Sequence, residues 1–280
     1  MNSNYVHGYR DRESERLQHQ ADTLLDLLHN DTRYPAGSSV LEAGCGVGAQ
    51  TLALARGSPH ARITSIDVSA DSLAHARKRV EAAGITNVTF GEADILALAF
   101  APQSFDHVFV CFVLEHLPNA VFGLERLVDV LKPGGSLTVI EGDHGSTLFH
   151  PDSSAARESI ECLVQLQRSA GGDALIGRRL YPLLAQAGLE TIRVEPRIVY
   201  ADASRPVWVD GFTNKTFIAM VEGIRDEAIA AGLITADRFD AGVRDLRRTT
   251  EADGAFCYTF FKGVALKRRT PPQPFGGRGG

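Results

Sequence analysis

The chain has 280 residues, 44% of them hydrophobic and 22% charged, with a formal net charge of −5. That balance fits a globular fold with a substantial core and excludes a fibrous or disordered chain. Basic residues cluster only in short runs such as Lys267-Arg268-Arg269, so the extended positive surface of a nucleic-acid binder is missing, and no run of about 18 apolar residues is present to span a membrane.

The first thirty residues lack the apolar stretch of a secretory signal. The cysteines at 45, 111, 162 and 257 form no CxxC pair. The expectation is a reducing, cytoplasmic location without a disulfide framework or a metal cage.

Leu17, Ala21, Leu24, Leu25 and Leu28 recur at helical spacing and predict a helix from Glu13 to Asn30, broken by the turn at Pro35 to Ser38. Short apolar runs then alternate with helical patterns. Strands are predicted at Ser39 to Ala43, Ala61 to Ile66, Asn87 to Phe90, Phe105 to Cys111 and Ser136 to Ile140. Helices are predicted at Ala49 to Arg56, Ala70 to Ala83 and Ala120 to Leu131. Strands with almost no polar side, alternating with helices, indicate a parallel sheet covered on both faces. After Glu141 come helices at Ser153 to Ser169, Arg178 to Ala187, Thr213 to Ala231 and Ala236 to Thr250, with strands at Glu190 to Tyr200 and Gly254 to Leu266. The long helical insert between the last two strands reads as a cap. The Pro/Gly-rich end from Thr270 reads as an unordered tail.

The strongest local signal is Gly44-Cys45-Gly46-Val47-Gly48, between a strand and a helix. Such a loop brings backbone N–H groups close to a ligand at a helix N-terminus. The glycines alone leave dinucleotides and other adenosyl ligands open. Glu42, two residues earlier, would repel a pyrophosphate and suit a cationic ligand. Asp67 ends the second strand, where an acid holds ribose hydroxyls in both ligand classes. Asp94 follows the third strand, where an adenine amino group would lie.

These motifs, with Ser104 to Val108 and Leu131 to Leu137 in order behind them, resemble class I S-adenosylmethionine (SAM) dependent methyltransferases from about residue 38 to 141. The resemblance implies an α/β, Rossmann-like, doubly wound sheet of seven mostly parallel strands, with an N-terminal helical lid and a C-terminal cap. It implies SAM as cofactor, with the loop Gly44, Cys45, Gly46 and Gly48 and Glu42 at its methionine end. Asp67 and Val68 would hold the ribose and adenine, Ala93, Asp94 and Ile95 the adenine, and Cys111 and Phe112 the reacting methyl. Tyr9 would close the lid over SAM, with Arg16 and Gln20 beside it. The expected organisation is a lid and first helix at 1–35, a SAM-binding core at 36–145, a helical insert with late core elements at 146–252, a final strand at 253–268 and a tail at 269–280.

For the acceptor, the stretch after the fourth strand lacks the Asn/Asp-Pro-Pro-Tyr tetrapeptide of nucleic-acid amino-methyltransferases and the glutamate pair of protein-arginine methyltransferases, which points to a small molecule. Glu115, His116, His144 and Tyr5 are candidate bases; Trp208, Phe212 and Asp143 are candidates to line the acceptor site. The segments Tyr5 to Tyr9, Glu141 to Gly145 and Phe256 to Gly263 resemble bacterial natural-product methyltransferases, among them those that methylate indole C3 of tryptophan-derived compounds. The rival readings are N- or O-methylation of another metabolite, a non-catalytic SAM-binding partner, and a nicotinamide-dependent oxidoreductase. The amphipathic cap helices suit a homodimer as well as a lid.

Overall fold

The computed structural model describes residues 23–269. Its strands are β1 Ser39–Ala43, β2 Arg62–Asp67, β3 Val88–Glu92, β4 Phe105–Cys111, β5 Leu131–His150, β6 Leu189–Asp202 and β7 Ala255–Lys267. They form one sheet in the order β3-β2-β1-β4-β5-β7-β6. The pairings from β3 through to β5 are parallel, and β7 runs antiparallel to both β5 and β6. The chain winds outward from β1 to β3, then returns to β4 on the other side of β1. That reversal opens a crevice at the carboxyl ends of β1 and β4, where open α/β sheets bind ligands.

Helices cover both faces. The described chain begins in a helix, α1 at 23–29, followed by α2 Ala49–Gly57, α3 Ala70–Ala82, α4 Ala120–Val130, α5 Ser154–Ser169 and α6 Leu180–Gln186. Alternate strand residues separate into two cores. Val40, Ile63, Phe109, Ile140 and Phe256 pack with α1, α2, α5 and the cap. Leu41, Ile66, Val108, Val110, Leu137 and Val139 pack with α4 and α6. This two-sided burial is why the strands read as continuous apolar runs.

Two elements differ from the sequence expectation. The fifth strand was expected to end at Ile140, yet β5 continues to His150. The glycines at 142 and 145 look like loop punctuation, but Gly142 pairs with Phe260 and Asp143 with Thr259, and after a register shift Leu148 to His150 pair with Cys257 to Ala255. The aromatic alternation of β7 needs a partner over that length, and tertiary pairing overrides the local glycine signal. The helix expected from Thr213 to Ala231 is instead three pieces preceded by Pro206–Trp208: a π-helical coil at Val209–Ile218, then Ala219–Gly223 and Arg225–Ala230. In the wide coil the N–H of Ala219 reaches the carbonyl of Asn214, and Thr216 Oγ1 donates to the carbonyl of Gly211 at 2.8 Å. That spacing lets Phe212 and Phe217 share one buried face, at 2% and 1% exposure.

Candidate functional site

The cofactor side is built at the carboxyl ends of β1, β2 and β3. The N–H groups of Gly44 and Cys45 both donate to the carbonyl of Ile66, at 2.8 and 2.9 Å, which folds the loop over β2. Gly48 caps α2 with φ +77, and a Cβ added there would stand 2.9 Å from Cβ of Ala76 on α3. Glycine is therefore required by backbone and by space. At Gly46 (φ +50) an added Cβ would meet nothing within 4 Å, so the outer face of the loop is open.

Asp67 closes the loop from β2: Oδ2 accepts the N–H of Gly46 at 2.8 Å and Oδ1 that of Ser69 at 2.9 Å. Burial raises its carboxyl above the usual range while those N–H groups oppose the rise. Val68 is exposed beside it. The N–H of Ala93 donates to the carbonyl of Asp67 at 3.0 Å, so the third strand's end is tied to the second. Exposed Asp94 caps the turn Ile95–Ala97, accepting from the N–H of Leu96 at 2.8 Å, above buried Ile95.

Glu42 lies below the loop, 2% exposed. Its Oε2 accepts hydroxyl bonds from Thr51 at 2.7 Å and Ser65 at 2.6 Å, and Oε1 has no partner. Burial pushes its carboxyl up to about 7, against the two hydroxyls. An open glycine loop, an orphaned carboxylate oxygen beneath it and acids at the ends of β2 and β3 fit a cationic adenosyl ligand such as SAM. Burial raises the thiols of Cys45 and Cys111, leaving them as protonated wall groups.

The acceptor side starts where β4 ends. Phe112 adopts φ +57, and its N–H donates to the carbonyl of Ile140 at 2.9 Å. The chain then turns through Leu114–His116, with the N–H groups of Val113 and Leu114 bound to Glu141 Oε1 at 3.0 and 2.8 Å. Glu115 is buried and accepts from Gln167 Nε2 at 3.1 Å; His116 Nε2 stands 3.5 Å from Glu115 Oε1. Phe112 meets Phe260 at 5.3 Å between ring centres, and Phe260 continues into a cluster with Tyr258, Phe212, Phe217 and Phe256. His144 Nδ1 pairs with the Tyr258 hydroxyl at 2.8 Å within that cluster.

The structure thus brings Phe112, Glu115, His116 and His144 to one edge of the sheet, beside the aromatic cluster. Phe212 belongs to the cluster's packed interior. Trp208 is half-buried, with the Arg205 guanidinium 5.2 Å from its ring centre. Asp143, expected to line the acceptor site, is buried in a two-pronged ion pair: Arg178 Nε donates to Oδ2 at 2.6 Å and Nη2 to Oδ1 at 2.7 Å. A carboxylate held that way orders the β5 segment; it has no free edge toward a ligand. Asp152 pairs with Arg157 on the surface. Tyr5, Tyr9, Arg16 and Gln20 lie outside the described residues. Among the described residues no group of three or more His, Cys, Asp or Glu side chains is placed to hold a metal ion.

Sequence reasoning missed Glu141, Gln167, Tyr258 and Lys262. Lys262 did carry a signal: it continues the inward alternation Phe256, Tyr258, Phe260, so a cation sits where an apolar side chain belongs. It is 3% exposed and donates to the carbonyl of Leu28 at 3.1 Å, Thr32 Oγ1 at 2.6 Å and Asp31 at 2.5 Å, fastening the end of α1 to the sheet.

Residues 40–135 match a family described as a methyltransferase domain. The 27-O-demethylrifamycin SV methyltransferase of Amycolatopsis mediterranei is 28% identical over 250 residues, covering 89% of this chain and 85% of that enzyme. Trans-aconitate 2-methyltransferase of Rhodopseudomonas palustris is 38% identical over 127 residues, 45% of each chain. An uncharacterized Synechococcus protein is 29% identical over 85% of this chain and 51% of its own length. The chain spans about half the length of these last two relatives.

Among solved structures, the 4+2 cyclase SpnF superposes with a TM-score of 0.56 at 22% identity, over 90% of this chain and 82% of that one. A methyltransferase-like protein from Bacillus halodurans does so with 0.55 at 18%, over 87% and 98%. At these identities the likeness carries the fold and not the reaction. Within the Rossmann-like core of this chain, residues 40–135 are a methyltransferase domain, and its cofactor is S-adenosylmethionine.

Proposed function

We propose that the chain transfers the methyl group of SAM to a small, aromatic or hydrophobic metabolite. The observation that carries the acceptor class is the partly exposed ring of Phe112, backed by buried Phe260 and followed by the polar Glu115–His116 turn. When bound, SAM supplies an electrophilic methyl on a sulfonium sulfur. The loop Gly44 to Gly48, Asp67 and Asp94 fix the adenosyl part, and Glu42 offers its orphaned oxygen beneath the methionine end. Phe112 offers its ring to a flat acceptor and keeps water out, with the packed cluster behind holding it in place. An acceptor that loses a proton on attack needs a base within reach. His116 takes that role, turned by the Glu115 carboxylate, while His144 holds the Tyr258 hydroxyl within the packed cluster.

Within this class, the carbon C3 of an indole in a tryptophan-derived natural product is the first acceptor to test; loss of the indole N–H proton during attack is what His116 would accept. The near full-length likeness to a rifamycin O-methyltransferase supports a second reading, transfer to a hydroxyl oxygen of a natural product. The proposed setting is the cytoplasm, without nucleic acid or membrane partners; among the described residues no helix is long and apolar enough to cross a membrane. A homodimer through the cap helices is the proposed assembly, to be tested by light scattering.

The functional test incubates the protein with SAM and a panel of indoles, phenols and amines, read by mass spectrometry. A single added methyl on one class identifies the acceptor. SAM binding without product across the panel would favour the non-catalytic reading.

A further inference from the structure

Glu141 is fully buried at the point where β5 leaves its parallel partner. One oxygen, Oε1, receives the N–H groups of Val113 and Leu114; the other, Oε2, is buried and makes no hydrogen bond. Those two N–H groups belong to the turn that begins at Phe112 and presents Glu115 and His116. The same segment puts a second buried carboxyl, Glu115, close enough to be the charge that most affects Glu141.

The surrounding groups do not balance two negative charges. From β4, Cys111 is a protonated thiol. From β7, Tyr258 is a buried phenol bound to His144. From α5, Gln167 is neutral and donates to Glu115. His116 faces Glu115. The neighbouring cations Arg178 and Lys262 are engaged by Asp143 and Asp31. Two buried carboxylates in such a setting cannot both ionise at ordinary cost.

We propose that Glu141 is a positioning residue of the transfer site: it holds a proton on Oε2, leaves the negative charge of the pair to Glu115, and uses Oε1 to fasten the turn that presents Glu115 and His116 to the acceptor. The hydrogen bonds are compatible with a neutral carboxyl, since Oε1 can accept both N–H groups as a carbonyl oxygen and Oε2 makes no bond that needs its charge. Burial and the Glu115 charge push the Glu141 carboxyl well above the usual range, outweighing the N–H groups of Leu114, Val113 and Glu115 that favour the charged form. The protonation and the clamp stand without any substrate; only the effect on turnover rests on the methyl-transfer reading.

The test is infrared spectroscopy of the full chain at pH 9, where Glu42, titrating near 7, is ionised and its carboxyl band is gone. Wild type should keep a protonated-carboxyl C=O band, E115Q should keep it, and E141Q should lose it. A band that survives in E141Q, or is missing from wild type, overturns the proposal. With an acceptor in hand, E141A should lower kcat about tenfold or more through misplacement of the turn, with SAM affinity unchanged. E141Q, whose amide oxygen can still accept both N–H groups, should restore most of that loss. If E141A does not fold, the infrared comparison of E141Q with E115Q decides alone. Failure to find any acceptor would count against the methyl-transfer reading and leave the infrared result standing.

Discussion

Glu42 offers the sharpest prediction, because one substitution should reverse sign with pH. Its carboxyl is raised from an ordinary 4.5 to about 7, chiefly by burial. In the unfolded chain it titrates near the ordinary value. Below that value both states are protonated and folding carries no charge penalty. Between about 4.5 and 7 the unfolded chain gives up this proton while the folded protein keeps it, so stability falls over that window and levels off above it. At about 1.4 kcal/mol per pH unit the full loss is about 3 kcal/mol. Glu42→Gln removes the ionisation but places an amide NH2 where Oε1 has no partner, at a cost of about 1 kcal/mol. The variant should therefore be less stable than wild type at pH 4, below the unfolded value, by about 1 kcal/mol and more stable at pH 9 by about 2 kcal/mol. Thermal melts at the two pH values measure this directly, and the net swing corresponds to roughly 6–12 °C in a chain of this size. Parallel pH curves for the two proteins would refute the reasoning.

Other substitutions probe the remaining joints. Gly48→Ala forces a left-handed residue, at about 1–2 kcal/mol, and drives its Cβ to 2.9 Å from Ala76; melting temperature and SAM affinity should both drop. Lys262→Met strips the carbonyl of Leu28, Thr32 and Asp31 of their shared donor, and chemical denaturation should show a loss of about 2–3 kcal/mol. Tyr258→Phe leaves His144 Nδ1 without its hydroxyl partner; denaturation should show a loss of about 1–3 kcal/mol. His116→Ala should bind SAM with unchanged affinity while turnover falls about 100-fold or more, and wild-type turnover would place the base elsewhere.

What was legible in the sequence was local in the chain. The glycine loop, Glu42 two residues before it, Asp67 at a strand end and Asp94 after the next strand are each readable from a few neighbours. Turn chemistry and strand periodicity are short-range properties. The turn carrying Glu115 and His116 was legible for the same reason. What was hidden depends on partners far along the chain. Asp143 looked free until Arg178, 35 residues later, closed on both its oxygens. The end of β5 looked like a loop until β7 paired with it. Phe212 looked like a pocket wall until the wide coil turned it inward beside Phe217. Lys262 binds Asp31 from 231 residues away; only its misplaced charge in an apolar alternation hinted at a buried partner.

The most direct test of the account is calorimetric titration with SAM, run on wild type and on Asp67→Ala, with NADH as the control ligand. The account predicts micromolar SAM binding to wild type, at least about tenfold weaker binding to the variant as charge-assisted hydrogen bonds to the ribose are lost, and no heat with NADH. Equal SAM affinity in the two proteins would contradict the role given to Asp67, and NADH binding in place of SAM would contradict the reading of the whole site.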